Sequence, residues 1–500
     1  MQKLLTGQEM GEMDRWAIQD RGIPGLTLME NAAQKIAVEV LSRKARTAAV
    51  VCGTGNNGGD GFAIARLLHE AGVRVWICGA GHRDRLNGEG DAAVNYRRAL
   101  SEKIPVYWGM PFPEEKADCI VDALFGTGLN RDLTGEAALA VEWINRQAEE
   151  GSWVISVDIP SGIHSGTGQV MGVSVQAKET VTFSRLKPGL LLYPGRSNAG
   201  KIIVADIGIP TPNPIEKAGQ AFTMEAEDAA RLLPPRKADS HKGTYGKILV
   251  VAGSPGMMGA AIFAVRAAYH SGAGLVRALI PSAESLAMTL GAPEAVQIFY
   301  QDPVEAAVPE DVTSVLAGPG LGHNPQLLMR ILSTAPAESP LILDADALNF
   351  LAQDQEARIT VQKRAGNTVL TPHMGEASRL CGKSIADLYK DLPGAARELA
   401  MQYQSVVVLK NASTVIASPD GRIAVNRTGN AGMSTAGAGD VLAGTIAGLC
   451  GQGGVLWENA VLGVWLHGRA GDAAAAKKGM YAMTASDLAE FLQPDRLILS

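Results

Sequence analysis

At 500 residues the chain is too long for one hydrophobic core, so two or three domains are expected. Its composition, 46% hydrophobic and 19% charged, is that of an ordinary soluble globular protein, and a formal net charge of -6 argues against a nucleic-acid binder of the basic-surface kind. Five cysteines without a C-x-x-C pair (Cys52, Cys78, Cys119, Cys381 and Cys450) read as reduced core thiols of a cytoplasmic protein. The charged residues Glu9, Glu12, Asp14, Arg15, Asp20 and Arg21 leave no apolar signal-peptide segment near the start.

Residues 8–20 and 26–44 are predicted helices, the second with Leu28, Ala32, Ile36 and Val40 near helical spacing. A buried strand over 48–52 runs into the glycine-rich turn G-T-G-N-N-G-G-D-G at 53–61, then a helix over 62–71 and a strand over 74–78. This is a βαβ unit with a glycine-rich first turn. The turn fits G-x-G-x-x-G, but a nicotinamide-redox domain also needs an acidic residue just after the second strand. Gly79, Ala80, Gly81 and His82 stand there instead. Two further strands end in carboxylates, Asp122 before Gly126-Thr127-Gly128-Leu129 and Asp158 before Ile159-Pro160-Ser161-Gly162. Ligands of open parallel sheets sit outside the carboxyl ends of the strands, so each aspartate is read either as facing a ligand or as anchoring its loop.

Three prolines within 210–214 mark a boundary, giving domains 1–213 and 220–500. The charged stretch 234–243 reads as a mobile loop, or one that a ligand orders. Beyond it, strands over 247–252, 274–280, 313–317, 340–343, 368–370 and 405–409 each end in a small or polar loop, the pattern of a doubly wound sheet. No G-x-x-x-x-G-K-[ST] loop is present. The glycine-rich stretch 428–444 takes that place. It leads into an apolar helix whose first turn carries Asp440, so its amides can grip an anionic group beside a general base. Read blandly, Asp440 is only a first-turn acid. Glycines interrupt the apolar run, which is no membrane span. His373 is either a ligand contact or structural, and Lys410 either a solvated cation or a nucleotide contact.

The runs N-N-G-G-D-G, D-A-L-F-G-T-G-L and V-D-I-P-S-G in the first 210 residues resemble the NAD(P)H-hydrate epimerase domain, a Rossmann-like three-layer fold. The resemblance implies that Asn56, Asn57, Gly58, Gly59 and Asp60, with Gly126, Thr127, Gly128, Leu129, Asn130, Arg131 and Asp132, bind the hydrated nucleotide. It further implies K⁺ near Asn57, Asp122 and Ser161, and Asp158 as the acid–base group. H-K-G-T-Y-G-K, G-P-G-L-G, D-A-D-A-L-N, T-P-H-M-G-E and A-G-A-G-D-V-L-A-G, over about 235–475, resemble the ADP-dependent NAD(P)H-hydrate dehydratases, which are ribokinase-like. That resemblance implies hydrate contacts at Ala260, Gly320 and His373, and adenine-nucleotide contacts at Lys410, Asn411, Ala412, Ser413, Thr414 and Gly439. It implies Asp440 as the catalytic base, with Mg²⁺ at the phosphates. Asn411 stands where the family has glycine and Met374 where it has proline, which bears on loop shape.

Together these imply a bifunctional isomerase and lyase for damaged NADH and NADPH. One domain interconverts the R and S hydrates. The other dehydrates the S hydrate with ADP, releasing AMP and phosphate. A homo-oligomer, a tetramer by the same resemblance, is expected, with no nucleic acid or membrane partner. Another ribokinase-like enzyme, a vitamin or sugar kinase with a fused accessory domain, and a nucleotide-sensing or protein-binding first half without turnover are the competing readings.

Overall fold

A computed structural model describes residues 1–499. The chain divides into two compact units, one of Lys3–Ala221 and one of Phe222–Ser500 together with Met1–Gln2. After a short strand β1 (Gln2–Leu4), the first unit is built on β2 (Thr47–Cys52), β3 (Arg74–Gly79), β4 (Val106–Trp108), β5 (Cys119–Ala123), β6 (Trp153–Val157), β7 (Glu179–Phe183) and β8 (Lys201–Ala205). They form one parallel sheet in the order β4-β3-β2-β5-β6-β7-β8. The alternation of β2 shows how the sheet is sandwiched. Ala48, Val50 and Cys52 enter the core beneath helices Gly25–Ser42 and Asn56–Glu70, while Ala49 and Val51 enter a second core beneath helix Glu136–Glu149. The strand order reverses between β2 and β5, so the loops after these two strands open a crevice at their carboxyl ends.

The helix after β2 starts at Asn56, six residues earlier than the sequence pattern indicates, with Gly55 as its N-cap. Gly58, Gly59 and Gly61 are therefore helical. A Cβ on Gly58 would overlap the Gly53 carbonyl, one on Gly59 would meet Met29 and Ala92, and one on Gly61 would meet Ala123 and Cys52. These glycines bring the helix against its neighbours; they are not the flexible turn that their spacing suggests.

The second unit carries β9 (Ala221–Thr223), β10 (Lys247–Val251), β11 (Leu275–Pro281), β12 (Val296–Tyr300), β13 (Ser314–Ala317), β14 (Leu341–Leu343), β15 (Thr368–Leu370), β16 (Val406–Leu409), β17 (Val415–Ala417) and β18 (Ile423–Val425). Their order is β9-β18-β17-β16-β15-β14-β13-β10-β11-β12, parallel from β16 to β12 and antiparallel between β16, β17 and β18. The order reverses at β10, where the loops after β10 and β13 meet. The Gly253 amide donates to the Pro319 carbonyl (2.8 Å) and Ser254 Oγ to that of Gly320 (2.9 Å). The stretch 234–243 has partners of its own: the Lys237 amide donates to Tyr245 Oη (2.9 Å), and Arg236 lies over the Tyr245 ring. No helix among the described residues is long and apolar enough to cross a membrane.

Helix Ala438–Cys450 crosses helix Met258–His270 through small residues. A Cβ on Gly444 would overlap the Ala264 carbonyl oxygen, and one on Gly448 would overlap Ser271 Oγ. This close crossing fixes the height at which the helix start stands above the sheet. Replacing Gly444 by alanine is expected to cost about 2 kcal/mol through overpacking. That is a drop of roughly 5 °C in the unfolding temperature of this unit, to be read by calorimetry; an unchanged transition would contradict the crossing.

Candidate active sites

In the first unit the crevice is a cavity of about 660 Å³. Of the sequence-derived residues, Asn56, Asn57, Asp60, Gly126, Thr127, Gly128, Leu129, Asn130, Arg131 and Asp158 line it. Gly58 and Gly59 lie inside the helix, Asp132 lies outside the lining, and Asp122 and Ser161 are buried away from it. Gly58 still offers a first-turn N–H, the kind of donor that a helix start presents to an anion, whereas the Gly59 amide is already bonded to the Gly55 carbonyl (3.0 Å).

Asp158 follows β6 with φ +67°, in the left-handed region that aspartate tolerates better than most non-glycine residues. Its Oδ1 accepts from Thr182 Oγ1 (3.0 Å), the Phe183 amide (3.1 Å) and Lys187 Nζ (2.5 Å). Lys187 is fully buried and also donates to Thr182 Oγ1 (2.9 Å) and the Phe183 carbonyl (3.0 Å). One carboxylate oxygen is thus held by three donors, while Oδ2 accepts none among the described residues. Burial, with Asp158 and Asp14 nearby, pushes Asp60 well above the usual carboxylate range. Burial and Asp158 push Asp14 up to about 6, with Lys187 opposing.

Behind the crevice, Asp122 at the end of β5 accepts from Ser161 Oγ on Oδ1 (2.5 Å), and from the Ser161 amide and Ser156 Oγ on Oδ2 (both 2.8 Å). Burial raises its pKa against those hydrogen bonds. The Asn57 amide packs on Gly126, with its Nδ2 buried and without a partner. A buried carboxylate, an amide oxygen, a hydroxyl and the nearby Phe125 carbonyl, which lies 3.2 Å from Ser161 Oγ, form an all-oxygen donor set with a single negative charge. That chemistry fits a hard monovalent cation, which the Asn57 side chain would engage through its amide oxygen; the unpartnered Nδ2 is a donor and calls for an acceptor instead.

In the second unit, Asp440 lies in the first turn of helix Ala438–Cys450, whose N-cap Gly437 has φ +89°. The amides of Ala436, Gly437, Gly439 and Asp440 have no acceptor among the described residues; that of Ala438 is taken by the Thr435 carbonyl (3.3 Å). Four free N–H groups at a helix start make an anion site. Burial pushes Asp440 up to about 7, with Asp344, Asp346 and Glu376 reinforcing the shift and Lys410 opposing it.

Lys410 is not the solvated cation that its sequence position also allowed. Its ammonium is buried against Asp344 Oδ1 (2.7 Å), with Glu376 Oε2 at 3.9 Å, and stands 3.3 Å from where a Gly439 Cβ would sit. Thr371 Oγ1 also donates to Asp344 (2.8 Å). His373 is the N-cap of helix Met374–Cys381. Its Nδ1 accepts from the Gly375 (2.9 Å) and Glu376 (3.3 Å) amides, and its own amide donates to Glu376 Oε2 (2.8 Å). Burial and Lys410 lower its pKa, so the ring is neutral with its proton on Nε2. Met374 takes the first helical position, where the backbone N–H needs no helical partner and proline is also at home. Asn411 keeps negative φ and accepts the Ala412 amide on its own Oδ1 (2.7 Å), so the loop closes without glycine; Thr414 Oγ1 donates to the Asn411 carbonyl (3.1 Å). Ala260 and Gly320 face each other across the switch point, with Gly320 at φ +61°.

Sequence reasoning missed Lys187, Asp14, Asp344 and Glu376. A lysine inside the apolar run L-K-P-G-L-L-L was the available signal for Lys187, and the paired carboxylates of D-A-D for Asp344.

The family described as NAD(P)H-hydrate dehydratase matches residues 248–494, and that described as YjeF-related protein N-terminus matches residues 25–189. The bifunctional NAD(P)H-hydrate repair enzyme of Moorella thermoacetica is 39% identical over 515 residues, covering 98% of this chain and 96% of the relative. That of Escherichia coli is 35% identical, covering 89% and 84%. Among solved structures, the ADP/ATP-dependent NAD(P)H-hydrate dehydratase of Bacillus subtilis, co-crystallised with ATP and Mg²⁺, is 33% identical with a TM-score of 0.50. The match covers 55% of this chain and 97% of that one. A ribokinase-like protein of Enterococcus faecalis is 27% identical with a TM-score of 0.51, covering 56% and 96%.

Lys187→Met is expected to lower the stability of the first unit by about 3 kcal/mol, because Asp158 loses its buried ammonium partner. Denaturant unfolding of the full chain reads this, and a variant as stable as the parent would contradict the pairing.

Proposed function

This chain belongs to the bifunctional NAD(P)H-hydrate repair enzymes, and from that premise we propose how its two units divide the work. The first interconverts the R and S hydrates at the nicotinamide C6; the second dehydrates the S hydrate using ADP. The observation that carries this reading is the Asp440 carboxylate set against four free amides at a helix start, with the Lys410 ammonium beside it.

The free amides and the loop at Lys410, Asn411, Ala412, Ser413 and Thr414, with Gly439, hold the ADP diphosphate and adenosine. Ala260, Gly320 and His373 hold the hydrate with its C6 hydroxyl toward Asp440. Asp440 takes the hydroxyl proton as that oxygen bonds to the β-phosphorus. The bond from β-phosphorus to the bridging oxygen breaks, and AMP leaves. Loss of phosphate from C6 with a proton from C5 then restores the ring double bond. Asp344 is engaged by Lys410 and Thr371, and Glu376 by its helix cap, whereas among the described residues Asp346 accepts only the Gly322 amide (2.8 Å). Asp346 is therefore the carboxylate that would meet Mg²⁺, which offsets phosphate charge when bound.

In the first unit, Asn56, Asn57, Gly58, Asp60 and the 126–132 loop hold the dinucleotide. Asp158, kept in place by Lys187, moves the hydroxyl proton. Asn57, Asp122, Ser161 and the Phe125 carbonyl would hold K⁺, which fixes the loop after β5. We place the enzyme in the cytoplasm with its substrates, as a homotetramer. Exposed Leu286, Leu290, Val296 and Phe299 on and beside the edge strand β12 support self-association.

Asp440→Asn is expected to slow dehydration of the S hydrate by about 10³-fold while ADP binding, read by calorimetry, is retained. Near-parental turnover with ADP saturating would rule the base out. Because the base must be ionised and its carboxyl titrates at about 7 in the free enzyme, kcat/KM should rise with pH through that value and level above it. A rate that falls across that range would contradict the assignment.

A further inference from the structure

Helix Gly7–Gln19 is anchored at its start by a capping box between Thr6 and Glu9, and buries Met10, Met13 and Ala17. A second stripe of the same helix, Gly7, Gly11, Asp14 and Ile18 at helical spacing, lines the cavity that holds Asp158. The two glycines keep this wall low. A Cβ on Gly7 would overlap the carbonyl of Thr127 in the 126–132 loop, and Gly11 faces open space. Asp14 is the stripe's one ionisable group, and its carboxyl accepts no hydrogen bond from the described residues. A half-buried carboxyl with no protein partner is costly for folding alone, and it sits where a substrate would supply the partner. Its charged surroundings are Asp60 on helix Asn56–Glu70, Asp158 with Lys187 behind it, and Arg85, Asp91 and Arg131 on the other walls.

Resting on the epimerase reading, we propose that Asp14 is the second proton-transfer group of this site, the acid that works opposite Asp158. Asp158 accepts the C6 hydroxyl proton as the C6–N1 bond breaks. The electron pair goes to N1, and the Asp14 carboxylic acid gives N1 its proton. The result is an open-chain aldehyde. Rotation about C5–C6 presents the other carbonyl face to N1. On closure N1 bonds to C6, Asp14 recovers its proton from N1, and Asp158 returns its proton to the oxygen. No proton or electron is gained or lost overall. The division of labour follows from the surroundings: Asp158 has an ammonium and two further donors on one oxygen, and Asp14 has neither. Asp14 lies less deeply buried than Asp60, and its value of about 6 suits an acid that must also reionise within each cycle.

The test uses the full chain without ADP, so that the second unit is idle, starting from purified R hydrate and following the S hydrate by chromatography. Asp14→Asn is expected to lower kcat for exchange by about 10²-fold or more, with KM within roughly twofold. The descending alkaline limb of the parental kcat profile, with a midpoint at or above about 6, should vanish with it. Asp14→Glu should recover part of the rate and bring the limb back. Exchange by Asp14→Asn within about threefold of the parent, or a limb that persists in it, would overturn the proposal. So would a loss of kcat matched by a rise in KM and a lowered unfolding temperature, which marks a structural role. If the parental chain itself shows no exchange above the spontaneous rate, the epimerase reading fails first, and the two failures are told apart by that control.

Discussion

At the carboxyl edge of the second sheet one ammonium, Lys410, sits among carboxylates that outnumber it. Asp344 takes it as a direct partner at 2.7 Å, Glu376 stands at 3.9 Å, and Asp440 is left with its charge only partly opposed. Placing any of these groups below the surface is costly, and the arrangement persists because each charge is either paired, hydrogen-bonded or shifted toward neutrality. The consequence is chemical. A carboxyl that titrates near neutrality, beside amides aimed at an anion, can take a proton in one step and release it in the next.

The first sheet uses the same device with different parts. Lys187 is the buried ammonium, Asp158 its partner, and Asp14 and Asp60 the carboxyls left short of positive charge. In both units the acid that matters lies outside the carboxyl ends of parallel strands, next to a reversal of strand order. In both, glycines inside a helix let it sit close to its neighbours: Gly58, Gly59 and Gly61 in one, Gly444 and Gly448 in the other. The close packing holds the helix start at a fixed height, and that start supplies the N–H donors. Packing and the proposed chemistry are thus tied to the same small residues.

Much of this was legible in the sequence. Buried strands ending in glycine and aspartate gave the parallel parts of both sheets, their ends gave Asp122 and Asp158, and the glycine-rich stretch 428–444 leading into a helix gave Asp440. What was not legible depended on partners distant in the chain. N-N-G-G-D-G reads as a turn because glycine disfavours helix, yet contacts with Met29, Ala92 and Ala123 make it one. Lys410 reads as a strand-end cation, and only the fold brings Asp344 to it across 66 positions. His373 reads as a lone histidine, and its cap depends on a helix start that the pattern T-P-H-M-G-E leaves vague. Asp14 is one acid among several on an amphipathic helix, and nothing in the local pattern tells that its face meets a cavity.

Two sites in one chain serve one damaged dinucleotide in this proposal, and the extent of conversion tests that more directly than any rate. Mixed R and S hydrates are incubated with excess ADP, and the returning absorbance of the reduced nicotinamide is followed over a time short compared with spontaneous epimer exchange. With both sites working, the signal reaches the value for complete conversion of both epimers. A plateau at the fraction initially present as S would show the second site working alone and would contradict the account.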